Sequence, residues 1–72
     1  QVILYPNPSK KEVFIESEAT IKHIIIMDSN GQSIYKQAIN LKQASFRLDK
    51  SGIYLVFIQT NKGTRIQKCL IQ

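Results

Sequence analysis

Short β-branched and aromatic runs, separated by turn residues, predict an all-β fold for this chain: a small seven-stranded antiparallel β-sandwich of immunoglobulin-like or Greek-key type. Two observations carry that expectation. Apolar residues nowhere recur at i, i+3, i+4 and i+7 for three helical turns, so no stretch reads as an amphipathic helix. Seven runs of strand-forming residues follow one another at close spacing, with Gly, Asn, Asp and Pro between them.

The first strand is expected at residues 2–5 and ends at Tyr5-Pro6-Asn7-Pro8, where each proline lacks an N–H and biases the residue before it toward extended geometry. The second is expected at 12–16 and the third at 22–28. Ile24-Ile25-Ile26-Met27 is apolar on both parities, which predicts a strand covered on both faces. Asp28-Ser29-Asn30-Gly31 then predicts a hairpin turn into a fourth strand at 32–38, because Asn and Gly tolerate positive φ. In the fifth, at 45–48, Phe46 and Leu48 share one parity and predict an inward face. The sixth, at 53–60, contains Ile53-Tyr54-Leu55-Val56-Phe57-Ile58, again apolar on both parities and again expected to be covered twice. Thr60-Asn61-Lys62-Gly63 predicts a second hairpin turn, into a seventh strand at 64–71.

At 72 residues the chain is expected to form a single domain, and its start at Gln1 rather than Met suggests a piece cut from the end of a longer protein. The 43% apolar and 21% charged composition is globular. Stability is expected in the range of roughly 4–11 kcal/mol, enough to fold alone with little margin. No apolar run approaches the ~18 residues that span a bilayer, so direct membrane insertion is not expected. The single cysteine, Cys69, has no partner for an intrachain disulfide or a CxxC pair. The net charge of +5 falls entirely in the second half: residues 1–36 hold four cations and four anions, whereas residues 37–72 hold six cations against Asp49 alone. Six cations spread in this way, without Lys/Arg blocks or interleaved exposed aromatics, read as a solvated surface rather than a nucleic-acid face.

Catalysis finds little to work with. His23 is the only histidine and sits beside Lys22 and a run of isoleucines, the setting of a histidine on a sheet surface rather than of a general base. Cys69, in Ile66-Gln67-Lys68-Cys69-Leu70, reads as a small buried hydrophobe. Asp28-Ser29-Asn30-Gly31 echoes the start of a calcium loop but lacks the further oxygen ligands and the closing Glu. The three glycines are scattered, so no phosphate-binding loop is present. The expectation is a domain with no catalytic residue, metal site or cofactor.

Three segments together resemble the C-terminal sorting domain of the type IX, or Por, secretion system, in its type A-like form. Leu4-Tyr5-Pro6-Asn7-Pro8 is similar to the element that opens these domains. Ile24-Ile25-Ile26-Met27-Asp28-Ser29-Asn30-Gly31-Gln32 resembles their apolar strand followed by Asp, two turn residues and Gly. Leu48-Asp49-Lys50-Ser51-Gly52-Ile53-Tyr54-Leu55-Val56 resembles their L-x-x-G-x-Y strand, and a basic and apolar terminus follows at Gln67–Gln72. The order and spacing match over essentially the whole chain. Met27 stands where an aromatic is common, and reads as a core substitution. Cys69 stands where an aliphatic residue is usual.

The resemblance implies a non-catalytic secretion signal on an upstream cargo domain. The cargo crosses the inner membrane by an ordinary signal peptide, and the outer-membrane translocon of certain Gram-negative bacteria recognises the domain. A surface sortase commonly removes it, leaving the cargo secreted or attached at the cell surface. Tyr5, Pro6, Asn7, Pro8, Gly52, Tyr54, Arg65, Lys68, Leu70 and Ile71 are the motif positions carried over as candidate recognition residues. A terminal strand at a sheet edge offers unpaired N–H and C=O groups, so strand addition there, steered by Arg65 and Lys68, is one expected mode. Deleting residues 68–72 is then expected to abolish secretion while leaving a folded core.

Each motif position also has a structural reading: Pro6, Asn7 and Pro8 fixing a turn, Gly52 permitting a strand entry that a side chain would block, and Tyr54 packing in the core with its hydroxyl at the rim. The alternative function is an immunoglobulin-like accessory module of a secreted hydrolase or adhesin, binding carbohydrate or spacing domains; the absence of Trp and of an aromatic platform weighs against the sugar. A nucleic-acid partner is not expected. A weak homodimer through exposed strand edges is compatible with the sequence.

Overall fold

The computed structural model describes all of residues 1–72 as one antiparallel sheet of five strands, without a helix: β1 (Val2–Tyr5), β2 (Glu12–Met27), β3 (Ser33–Arg47), β4 (Gly52–Thr60) and β5 (Gly63–Ile71). β2 is its spine. The first half of β2 pairs with β1 on one side and the end of β3 on the other; its second half pairs with β4 and the start of β3, and β5 continues outward from β4. The sheet therefore has a narrow half (β1, early β2, late β3) and a wide half (early β3, late β2, β4, β5). It curls so that both bury residues in one core.

Seven strands become five because two expected loops are strand. Residues 17–21 look like a polar interruption, yet β2 runs through them, with Glu18 N–H donating to the Gln1 carbonyl (3.1 Å) and Asn61 N–H to the Thr20 carbonyl (3.1 Å). Residues 39–44 likewise belong to β3, which passes through Asn40 at φ 59°. The expected sandwich of two sheets with immunoglobulin-like order gives way to a single hydrogen-bonded sheet.

A bulge shapes the curl. Ile21 pairs with Thr60 and His23 with Gln59, so Lys22 is an extra residue on β2. The buried side accordingly switches parity, from Val13, Ile15 and Ile21 to Ile24 and Ile26, while Lys22 and His23 are both exposed. An inserted residue bends a strand and raises its twist, which lets one long strand serve both halves. The core comprises these five residues with Phe46 and Leu48 from the end of β3 and beyond it, Tyr54, Val56 and Ile58 from β4, and Cys69 and Ile71 from β5.

Both expected hairpin turns are present. Asp28 Oδ1 accepts from the N–H groups of Asn30 (2.9 Å) and Gln32 (3.0 Å), and Gly31 takes φ 81°, where a β-carbon is disfavoured. At the other turn the Thr60 hydroxyl accepts from Lys62 N–H (3.0 Å) and donates to the Gly63 carbonyl (3.1 Å).

The strands that read as covered on both faces are covered on one. In β4, Tyr54, Val56 and Ile58 are buried, while Ile53 and Leu55 remain 48% and 40% exposed. In β2, Ile24 and Ile26 are buried and Ile25 and Met27 lie half-buried outside, so Met27 is not a core residue. One curled sheet has one interior, and nothing in this chain packs on its outer face.

Candidate functional site

The segments that carry the family-like motifs are distant in sequence and meet at one end of the wide half. The last residues of β5 pair with the first of β4: Ile71 with Gly52, Leu70 with Ile53, Cys69 with Tyr54. β4 passes the order on to β2 through the Leu55–Met27 pair, and Met27 leads into the Asp28–Gly31 turn.

On its free side the end of β5 is met by the segment after β1. The Asn7 amide group donates to the Lys68 carbonyl (2.8 Å), and its Oδ1 accepts from Leu70 N–H (3.0 Å). Ser9 N–H donates to the Leu70 carbonyl (2.9 Å), and Gln72 N–H to the Ser9 carbonyl (2.8 Å). A side-chain amide carries one donor and one acceptor, so Asn7 takes the place of a peptide group in a neighbouring strand. Pro6 and Pro8 on either side lack an N–H and do not compete for these partners. Ser9 is buried and its hydroxyl donates to the Glu12 carbonyl, while Leu48 N–H donates to the Lys11 carbonyl (2.9 Å), tying the segment to both halves.

Asn7→Ala removes two of the four bonds on this edge and is expected to lower stability by about 1–2 kcal/mol, at roughly 1 kcal/mol net per hydrogen bond. In a domain of this size that corresponds to a fall of roughly 5–15 °C in the melting midpoint followed by circular dichroism. An unchanged midpoint would show that Asn7 does not hold the strand.

Beside this edge, Asp28, Asn30, Ile34 and residues 47–54 line a shallow groove of about 340 Å³. Tyr54 is 5% exposed and its hydroxyl donates to the Lys50 carbonyl (2.6 Å), bracing the loop that enters β4, so the ring is in the core and the hydroxyl at its rim. Arg47 Nε donates to Asp49 Oδ1 (2.9 Å) at the groove wall. Gly52 has φ 150° and open space where a β-carbon would point, so its backbone and not a blocking neighbour selects glycine there.

The candidate residues thus divide by location. Pro6, Asn7, Pro8, Gly52, Tyr54, Lys68, Leu70 and Ile71 come together at this end. Tyr5 projects from the narrow half, its ring 5.8 Å from that of Phe14 and its hydroxyl donating to the Glu16 carboxylate, which raises the phenol above its ordinary range, with lesser contributions from desolvation and from the charge of Glu16. Arg65 pairs opposite Ile58 near the other end of β5, six residues from Ile71 and so roughly 20 Å away along the strand. Three positions apart on one strand, Arg65 and Lys68 face opposite sides of the sheet and do not form a common basic patch. Ile71 is 1% exposed, whereas Lys68 and Leu70 face solvent. The end of β5 is not a free edge, since Asn7 and Ser9 occupy it.

Ser9 was invisible to motif reading: a lone serine after a proline carries no signal. The outward Ile25, Ile53, Leu55 and Phe57 did leave one, in runs that are apolar on both parities of a strand. For chemistry, no three of His, Cys, Asp and Glu gather where they could hold a metal. His23 is exposed on the outer face beside Gln59, and Cys69 is sealed in the core, where burial raises its thiol above the ordinary range.

The sequence matches the family model described as the secretion system C-terminal sorting domain over residues 3–72. A search of the curated proteins returns no match to this chain. With the match taking in β2 to β5, all but the first residue of β1 and every segment that meets at this end of the sheet, the chain belongs to the C-terminal sorting domains of the type IX, or Por, secretion system.

Proposed function

We propose that this domain works as a folded, non-catalytic address that takes an upstream cargo protein from the periplasm through the type IX translocon of the outer membrane, after which a surface sortase removes it or the cargo is anchored at the cell surface. The observation that carries this reading is the family match over residues 3–72, which makes the domain a type IX secretion signal. The geometry supports a division of labour within the motifs. Asn7, Gly52, Tyr54 and Ile71 act by holding the end of the sheet together, with Pro6 and Pro8 shaping the segment that closes it. Lys68 and Leu70, which point outward from β5, and the exposed Pro6 and Pro8 beside them are the motif residues at this end with surface to offer a receptor. Tyr5 and Arg65, on other surfaces, serve the narrow half and the far end of β5.

The test is a periplasmic reporter carrying residues 1–72 at its C-terminus, expressed in a bacterium with a type IX system. Reporter in the medium or on the cell surface, lost in a translocon deletion strain, is the expected result. A folded reporter retained in the periplasm of the wild-type strain would overturn the proposal and favour an accessory module.

A further inference from the structure

The outer face of the wide half is the largest feature that the motif-bearing end does not explain. Directly paired residues on neighbouring strands share a face. The register therefore sets Lys36, Ile25, Phe57 and Ile66 in one row across β3, β2, β4 and β5, and Met27, Leu55 and Lys68 in the next, with Ile53 and Leu70 beyond. Ile66 is 58% exposed, and His23, Ile25, Met27, Phe57, Gln59 and Thr64 border a shallow groove of about 270 Å³ on this side.

Charge is divided between the faces. Lys36 and Lys68 stand on the rows of this apolar surface, and no Asp or Glu does. Three of the five carboxylates, Glu12, Glu16 and Glu18, alternate with inward residues on early β2 and face out from the narrow half; Asp28 and Asp49 lie in the loops at the groove. An apolar centre with polar margins is the make-up of a protein interface. The molecule measures 30 × 22 × 15 Å, so its broadest face offers on the order of 700 Å², below the roughly 800 Å² per partner of a standard stable complex. A second copy docking face to face would also set lysines against lysines with no carboxylate between them. Two lysines on the outside of a curled sheet give an anionic bilayer little to attract.

We infer that the outer face of β2, β4 and β5, centred on Leu55, Phe57 and Ile66 and flanked by Lys36 and Lys68, is the docking surface for an apolar, carboxylate-rimmed protein surface of the secretion machinery, bound reversibly. This rests on the reading of the domain as a type IX address. It moves recognition from the closed edge of β5 to an adjoining face, which Lys68 and Leu70 share. Charge at the rim acts chiefly on the rate of encounter.

Binding of the 72-residue chain to purified type IX translocon in detergent, together with export of the reporter fusion, tests the inference. Leu55→Asp and Ile66→Asp replace outward side chains and are expected to weaken binding and export at least tenfold with little change in melting midpoint. Lys36→Glu with Lys68→Glu, which leaves the apolar residues in place, is expected to slow association and to reverse its dependence on salt, added salt then speeding it by screening the new repulsion. Ile3→Asp, on the other half, is expected to bind as the unaltered chain does. Wild-type binding by Leu55→Asp, by Ile66→Asp or by the lysine pair overturns the inference. So does a dimer in sedimentation that Ile66→Asp dissolves, or binding to phosphatidylglycerol vesicles that equals binding to the translocon. Export of the unaltered fusion alongside harmless substitutions rejects the surface alone, whereas failure of the unaltered fusion to leave the periplasm rejects the underlying reading and the surface with it.

Discussion

A chain that stops at Gln67 is expected to unfold, not to persist as a folded domain that has lost its label. The five residues removed include Cys69 and Ile71, both fully or almost fully buried. Burial of a side chain the size of isoleucine contributes about 1.5–3 kcal/mol, and the truncation also removes the pairing with Gly52, Ile53, Tyr54 and Leu55 and all four bonds to Asn7 and Ser9. A loss of about 4–7 kcal/mol removes most of a total of roughly 4–11 kcal/mol, and a domain in the lower half of that range is left largely unfolded. Loss of near-ultraviolet circular dichroism and of amide dispersion in a heteronuclear NMR spectrum is the expected outcome; a dispersed, native-like spectrum would contradict it. A secretion defect in such a truncation therefore says nothing about receptor contact. Substitutions of Lys68 and Leu70, which face outward, are the informative ones.

The second large effect separates two neighbours. Ile26 is fully buried on the central strand, in register with Tyr35 on one side and Val56 on the other, and Ile26→Ala is expected to cost about 2–5 kcal/mol. Ile25→Ala, one residue away on the outer face, is expected to cost about 1 kcal/mol, because its side chain is only partly buried and truncating it opens no closed cavity. Denaturant unfolding of the two variants reads the difference directly. Equal and large losses would mean that both faces of β2 are covered, as the run of isoleucines first suggests.

That contrast shows what a sequence of this kind reveals and where it stops. The all-β class and both hairpin turns follow from local chemistry, since Asp28, Asn30, Gly31 and Thr60 act on backbone groups within four residues of themselves. Strand number does not, because the stretch after Glu16 stays in the sheet through Gln1 and Asn61, and the stretch after Ala38 through Ile21, Glu16 and Ile15, partners that local pattern cannot name. The bulge at Lys22 breaks the period-2 alternation that would have joined the two parts of β2. The apolar outer face was present in the sequence and led to the wrong burial: residues apolar on both parities read as a twice-covered strand, where the fold has one core and one outer surface on which nothing packs. For the candidate site, the motif positions were legible and their arrangement was not. Asn7 is bonded to residues 61 and 63 positions away, and a segment that reads as a turn proves to be the closing edge of the sheet.

The claim on which the rest depends is that the segment after β1 closes the edge of the last strand. Amide hydrogen exchange measures it within a single strand, because Thr64, Ile66 and Leu70 direct their N–H groups to the same side of β5 and only Leu70 meets a partner there. Leu70, and Gln72 with its bond to Ser9, are expected to be protected to an extent approaching the paired amides of β4, while Thr64 and Ile66 exchange rapidly. Leu70 exchanging as fast as Ile66 would show the edge to be open and would return the end of β5 to the position of a free strand awaiting a partner.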